Sequence, residues 1–154
     1  MSPTWLSNTR IAFSLQFGPF DPQTGAATST ALYTARIDGT GFRRISNPDI
    51  DGIYEDSFLR ISPDRSYLTF KRARTSDQTS ALFRMAPDGS DLRQLRPYLH
   101  ADVNDLSTAR HGPTKDLVVF DSYGRGDPSK TYVDIATVPA TCRSLADCTS
   151  KSAG

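Results

Sequence analysis

The chain is predicted to be all-β, built of small four-stranded antiparallel sheets repeated along the sequence, and three observations predict it. One segment is written twice, 50 residues apart: Ala31-Leu32-Tyr33-Thr34-Ala35-Arg36-Ile37-Asp38-Gly39-Thr40-Gly41-Phe42-Arg43-Arg44-Ile45 returns as Ala81-Leu82-Phe83-Arg84-Met85-Ala86-Pro87-Asp88-Gly89-Ser90-Asp91-Leu92-Arg93-Gln94-Leu95. Apolar residues alternate at period two, whereas helical periodicity is almost absent. Gly, Pro, Asp, Asn and Ser bound the apolar runs, as turns require. A fixed period near 50 residues made of short strands marks sheets stacked as in a β-propeller. The chain supplies about three blades, a partial ring of four-stranded antiparallel units.

The first blade, about residues 1–46, reads as strands at 3–6, 9–17, 31–37 and 42–46. Ile11, Phe13, Leu15 and Phe17 share one side of its second strand. A Gly/Pro/Thr-rich loop, 18–30, lengthens the next connection without disturbing the strands. The second blade, about 57–96, reads as strands at 57–62, 66–72, 81–85 and 92–96. Pro63-Asp64-Arg65 turns the first of these into the second, with Pro63 presetting φ. Asp88-Gly89 is expected to close a tight hairpin with both central residues at positive φ. The third blade, about 103–138, has strands at 105–110, 116–123 and 131–138, and it has lost the Asp-Gly turn. The cysteine-containing tail, 139–154, stands in the place of its fourth strand and is expected to be irregular.

The 154 residues suit one domain, and a composition that is 37% hydrophobic with eight Phe and six Tyr suffices for a packed core. A net charge of +1 gives no global field for nucleic acid or an anionic membrane, so neither is an expected partner. No run of 18 apolar residues exists, so no membrane insertion is expected. The start, Met1-Ser2-Pro3-Thr4-Trp5, lacks the basic and apolar regions of a signal peptide. Cys142 and Cys148 suit a small disulfide loop, which implies an oxidising compartment, periplasmic or secreted. Neither a second Cys pair nor a His pair lies nearby to complete a zinc site.

In such a fold the loops from strand four to the next strand one, and from strand two to strand three, emerge on one face. Here these are 47–56, 97–103, 18–30, 73–80 and 124–130. They carry Asp49, Asp51, Glu55, Asp56, His100, Asp102, Arg125 and Asp127, and this face is where a ligand is expected. Asn47-x-Asp49-x-Asp51-Gly52 has the opening spacing of a calcium loop. It lacks flanking helices, contains Pro48, and has Phe58 where the bidentate Glu belongs, so it reads as a solvated acidic turn and no metal is assigned. Arg125-Gly126-Asp127 spells an integrin-binding tripeptide, but Gly-Asp-Pro is ordinary turn chemistry. His100 and His111 have neither a third ligand nor a nucleophile to serve and read as surface loop residues. No nucleophile elbow and no phosphate loop occurs, so no catalytic residue and no cofactor is assigned.

At these residues the chain resembles the TolB-type β-propeller repeat family. Its blade reads roughly Trp-Ser-Pro-Asp-Gly-Lys-Arg-Ile-Ala-Phe, then Leu-Tyr-Val before Asp-Gly, then Arg-x-Leu-Thr. Trp5, Arg10, Ile11, Ala12 and Phe13 match the start of the first blade, and Ser62-Pro63-Asp64 and Phe70 that of the second. Leu32-Tyr33, Asp38-Gly39, Arg44, Ile45 and Ser46 match the hairpin. The resemblance runs to about Val138; Leu6-Ser7-Asn8-Thr9, Arg65 and His111-Gly112-Pro113-Thr114-Lys115 depart from it. It implies a non-enzymatic segment that presents loops to a protein or glycan partner in the bacterial envelope. Its alternative is the propeller domain of a larger hydrolase of the prolyl-oligopeptidase type, or of a lyase. Because about three blades fall short of a ring, the readings in order are a piece of a longer propeller, a homodimer completing six blades, and an open arc.

Overall fold

Alternation sets the strands, and the strands fall into successive antiparallel meanders. The computed structural model describes residues 3–20, 22–23, 27–100, 103–108, 117–123 and 133–151. The first meander is β1 (Thr4–Trp5), β2 (Arg10–Phe20), β3 (Ala27–Arg36) and β4 (Arg43–Arg44). The second is β5 (Tyr54–Ile61), β6 (Leu68–Arg74), β7 (Ser80–Met85) and β8 (Arg93–Gln94). The third is β9 (Val103–Thr108), β10 (Leu117–Tyr123) and β11 (Val133–Pro139), followed by the helix α1 (Leu145–Lys151). The duplication extends to register: Phe13 pairs with Tyr33 across β2 and β3, as Phe70 pairs with Phe83 across β6 and β7. A parallel bridge, Thr30 to Glu55, links the first two meanders into one sheet.

Period-two alternation gives each sheet two faces. On the second meander Leu68, Phe70, Ala81, Phe83 and Met85 pack toward the first, against Ala12, Leu32 and Ile45. Its other face, Tyr67, Leu82 and Leu95, packs on Val118, Val138, Ala140, Cys142 and Cys148 of the third. Leu32 and Ile45 therefore do for the first interface what their copies Leu82 and Leu95 do for the second. A register shift between Ser57 and Arg60 places Phe58 at φ 53°, which turns Phe58 toward the second interface and the fully buried Leu59 toward the first. Burying one Leu or Phe contributes about 1.5–3 kcal/mol. A ladder hydrogen bond contributes about 1 kcal/mol net, and β4 and β8 are short strands. Face-to-face packing, rather than the outer strands, holds the meanders together.

Arginines shared by the two copies tie each meander to the next. Arg43 Nη2 donates to the Asp88 carbonyl at 2.8 Å, and Arg93 Nη1 donates to the Cys142 carbonyl at 3.2 Å. The turns share one design. In Asp38-Gly39-Thr40, Asp64-Arg65-Ser66, Asp77-Gln78-Thr79 and Asp88-Gly89-Ser90, the Asp carboxylate accepts the N–H of the residue two on, at 2.9–3.1 Å, and its hydroxyl as well. The middle residue takes positive φ each time: 84° at Gly39, 63° at Arg65, 57° at Gln78 and 91° at Gly89. This corrects the two-residue hairpin expected at Asp-Gly. Of the Asp-Gly pair only the Gly takes positive φ; the Asp carboxylate caps the loop itself, and pairing resumes only at Arg43 and Arg93.

The tail is also corrected, because it contains a helix where irregular chain was expected. Ser144 Oγ accepts the Asp147 N–H at 3.3 Å and the Asp147 carboxylate accepts the Arg143 N–H at 3.1 Å, a capping arrangement that starts α1. The Cys142–Cys148 disulfide closes this segment with a Cα–Cα distance of 5.2 Å, and both cysteines are buried.

Gly89 rests against the first meander. A Cβ there would lie 3.2 and 3.3 Å from the Ile45 carbonyl carbon and Cα, and nearer still to the oxygen, whereas one at Gly39 would meet nothing within 4 Å. Gly39→Ala should therefore lose only the left-handed backbone preference, about 1 kcal/mol. Gly89→Ala should lose that and strain the interface, about 2–4 kcal/mol in all. Urea unfolding of the two variants measures the difference, and equal losses would refute the docking of this turn.

Candidate functional site

Three loops meet at one end of the second meander. The Thr75 N–H and hydroxyl both donate to the Ile53 carbonyl, at 3.0 Å, which fastens 75–79 to 47–53. Leu99 bridges to Ser80, bringing the segment after β8 to the same rim. Tyr98 then packs on Tyr54 and Phe83, with ring centroids 5.8 and 6.1 Å apart.

At the base of this rim lies a buried ion pair. Arg72 donates from Nε and Nη2 to the two carboxylate oxygens of Asp56 at 2.7 and 2.8 Å, and Asp56 is 0% exposed. The guanidinium also lies over the rings of Phe83, Phe70 and Tyr54, at 4.8, 5.5 and 5.8 Å. Burial pushes the Asp56 carboxyl up, and its hydrogen bonds with Arg72 oppose that push. Burial alone would lower Arg72, but the Asp56 hydrogen bonds and charge reverse it to a net rise. A guanidinium titrates so far above neutrality that Arg72 is charged under ordinary conditions. Outside it, Arg74 stacks on Tyr98 at 4.2 Å and pairs with Asp77 at 2.8 Å. Tyr98, pushed up to about 12 chiefly by burial, remains a neutral phenol.

The residues expected on the ligand face divide. Asp49 is exposed, in a short 3₁₀ turn (Pro48–Ile50) capped by Asn47, whose side chain accepts the Asp49 N–H at 3.0 Å. Asp51 forms a bidentate pair with Arg44, and that hydrogen bond is the main reason its carboxyl is held low. Arg44 also donates to the Ser46 and Asn47 carbonyls, so a guanidinium occupies the acidic turn that resembled a calcium loop. Glu55 and Asp56 were expected in the loop but lie in β5, and Asp56 is at the base of the rim, not on its surface. The strand begins earlier than expected because Tyr54 through Ser57 pair fully with Lys71 through Arg74. His100 is exposed at the rim. Asp102, Arg125, Asp127 and His111 lie outside the described residues. Among the described residues, no three of His, Cys, Asp and Glu converge as a metal site.

Sequence reasoning missed Tyr54, Arg72, Arg74 and Tyr98. A signal was present: Leu68, Phe70, Arg72 and Arg74 fall on one parity of β6, so two arginines continue a buried apolar row. The arrangement offers aromatic faces and cationic edges, with Asp51, Asp56 and Asp77 already engaged. It is suited to fixing loop positions and stacking on a ligand, not to proton transfer.

No known family profile matches the chain, and no curated protein matches it. Among solved structures it is similar to an oligogalacturonate lyase in complex with manganese, at 18% identity and a TM-score of 0.56, over 88% of this chain and 32% of that one. It is also similar to a structure from a study of two prolyl endopeptidases, at 16% identity and a TM-score of 0.58, over 93% of this chain and 19% of that one. Both of these proteins contain β-propeller domains. The chain has a propeller-like fold. It spans about a third of the lyase and about a fifth of the endopeptidase chain.

Asp56→Ala should cost about 3–5 kcal/mol, because it leaves Arg72 charged and buried. Replacing both partners by apolar residues, Asp56→Leu with Arg72→Met, should recover most of that loss in urea unfolding. The pH dependence follows from the turns. Asp38 is held low chiefly by the Thr40 N–H, Asp64 by the Ser62 hydroxyl, Asp88 by the Ser90 hydroxyl, and Asp77 reaches about 2 chiefly through the Thr79 hydroxyl. Each lowered carboxyl binds fewer protons folded than unfolded, so its contribution is present above the ordinary value of 3.8 and is lost as pH falls through the folded value. Asp56, raised, acts in the opposite sense. The turn carboxylates outnumber it, so the urea midpoint should fall on acidification from the ordinary carboxylate range toward about 2, the Asp77 value. A midpoint that stays level or rises over that interval would contradict the capping role.

Proposed function

We propose that this chain is part of the propeller domain of a larger enzyme, a hydrolase or a lyase, and that its rim loops contribute recognition while the chemistry resides elsewhere in that enzyme. The observation that carries this reading is the pairing of coverages: 88 and 93% of this chain lies along propeller-containing enzymes of which it spans 32 and 19%. The engaged carboxylates support it. Asp51 and Asp56 hold arginines, and Asp64, Asp77 and Asp88 hold turns, which leaves them unsuited to acid–base work. In this reading the repeats are TolB-like blades at about 1–46, 57–96 and 103–138, and Tyr54, Arg74, Tyr98 and His100 line the recognising rim. The buried Cys142–Cys148 disulfide supports an extracytoplasmic setting.

Sequencing the gene on both sides of this segment tests the reading. Coding sequence for a catalytic module, such as one with a Gly-x-Ser-x-Gly elbow, is the expected result. The 154-residue chain alone should not turn over proline-containing peptides or oligogalacturonate. A complete small gene with no such module, or turnover by the isolated chain that His100→Ala abolishes, would overturn it. The first of these results would leave a self-contained module that binds a protein or glycan, and the second would place catalysis in the chain itself.

A further inference from the structure

The duplication supplies an internal control for the outer face of the first blade. In the second blade Leu68 and Phe70 are 0% exposed and Phe83 is 7% exposed, because Ala12, Leu32 and Ile45 of the first blade cover them. Their counterparts in the first blade are Ile11, Phe13 and Tyr33. These occupy the same strands and register, and the Phe13–Tyr33 rings stack at 6.2 Å much as Phe70–Phe83 do at 5.8 Å. Yet all of them are only half-buried. Trp5 pairs with Ile11 as Ile61 pairs with Leu68, but Ile61 packs on the core while Trp5 is 57% exposed. Phe42 stacks on Tyr33 at 4.9 Å, but this position is open in both copies, 56% exposed at Phe42 and 47% at Leu92, and is no part of the contrast. One surface therefore exists twice, once covered and once open.

We propose that the open copy is covered by another blade of the same repeat, belonging to the same polypeptide and preceding this segment. The inference rests on the reading of the chain as part of a longer propeller. The covering blade would present small and branched aliphatic residues where the first blade presents Ala12, Leu32 and Ile45. The same polypeptide is favoured as its source over a second copy of the chain. The first two blades are joined by residues 45–53 alone, and so short a tether holds a blade at an effective concentration of about millimolar.

Trp5 is the sole tryptophan of the chain and lies on this face, so it reports the cover directly. Acrylamide quenching of Trp5 fluorescence is measured in the 154-residue chain over its workable concentration range. It is repeated in two fusions that place an extra blade ahead of the full chain. One carries residues 3–53 with Trp5→Phe in the added copy, and the other carries residues 54–102, in case the first addition does not fold. Far-UV circular dichroism verifies that the added strands form. The expected result is free quenching in the chain alone at every concentration, and a quenching constant about threefold lower in a folded fusion, as the ring gains contacts. Protection in the chain alone that disappears on dilution would assign the face to a second copy and overturn the proposal. A Trp5 that stays open in a folded fusion would overturn it as well. Neither result depends on whether a catalytic module follows, so the two readings fail separately.

Discussion

A sheet that is apolar on both faces cannot face water on either, and the second meander is such a sheet. Leu68 and Phe70 of β6 pack one way, and Leu82 of β7 with Tyr67, just ahead of β6, the other. The rest of the described structure follows from covering those two faces. The first meander supplies one cover through Leu32 and Ile45, and the third supplies the other through Val118, Val138 and the disulfide segment. The bulge at Phe58 divides even β5 between the two covers. Shallow features, such as the very short β4 and β8, survive because they carry little of the burden and offer little edge to a neighbouring chain.

Much of this was legible because the duplication and the alternation report the same thing independently. A repeat fixes which residues are equivalent, and parity fixes which face each takes, so the shared register of Phe13–Tyr33 and Phe70–Phe83 could be anticipated. Turn geometry was less legible. Asp-Gly serves both a tight two-residue hairpin and a longer loop capped by its own carboxylate. The choice lies with the following Thr40 or Ser90, whose hydroxyl gives the carboxylate a second donor. The middle residue is the weaker cue, since Arg65 and Gln78 adopt the conformation that Gly39 and Gly89 take more cheaply. The helix after Cys142 was missed although Ser144 and Asp147 stand three apart at its start, a spacing that caps helices.

The rim was harder to read, and the reason is electrostatic. Charge in a sequence looks like surface, and Asp49, Asp51, Glu55 and Asp56 were read together as one acidic loop. Two of them are neutralised by arginines 7 and 16 positions away, a pairing that no local pattern announces. Asp56 could enter the interior only because Arg72 enters with it and three aromatic rings accept the guanidinium face. Parity along β6 placed both arginines beside Phe70, and that was the available hint.

Gly41 and Asp91 occupy the same slot in the two copies, and both take positive φ, 63° and 53°. In the first copy the slot is an empty glycine. In the second, the carboxylate binds Arg93 at 2.8 Å and Arg84 at 3.1 Å, and those arginines donate onward to the Cys142 and Ala140 carbonyls. Once a segment is present in duplicate, one version can keep the backbone's original requirement while the other accepts a strained residue for what its side chain can do. The second copy has in this way become a latch for the chain's far end, and the two halves, alike in outline, are no longer interchangeable.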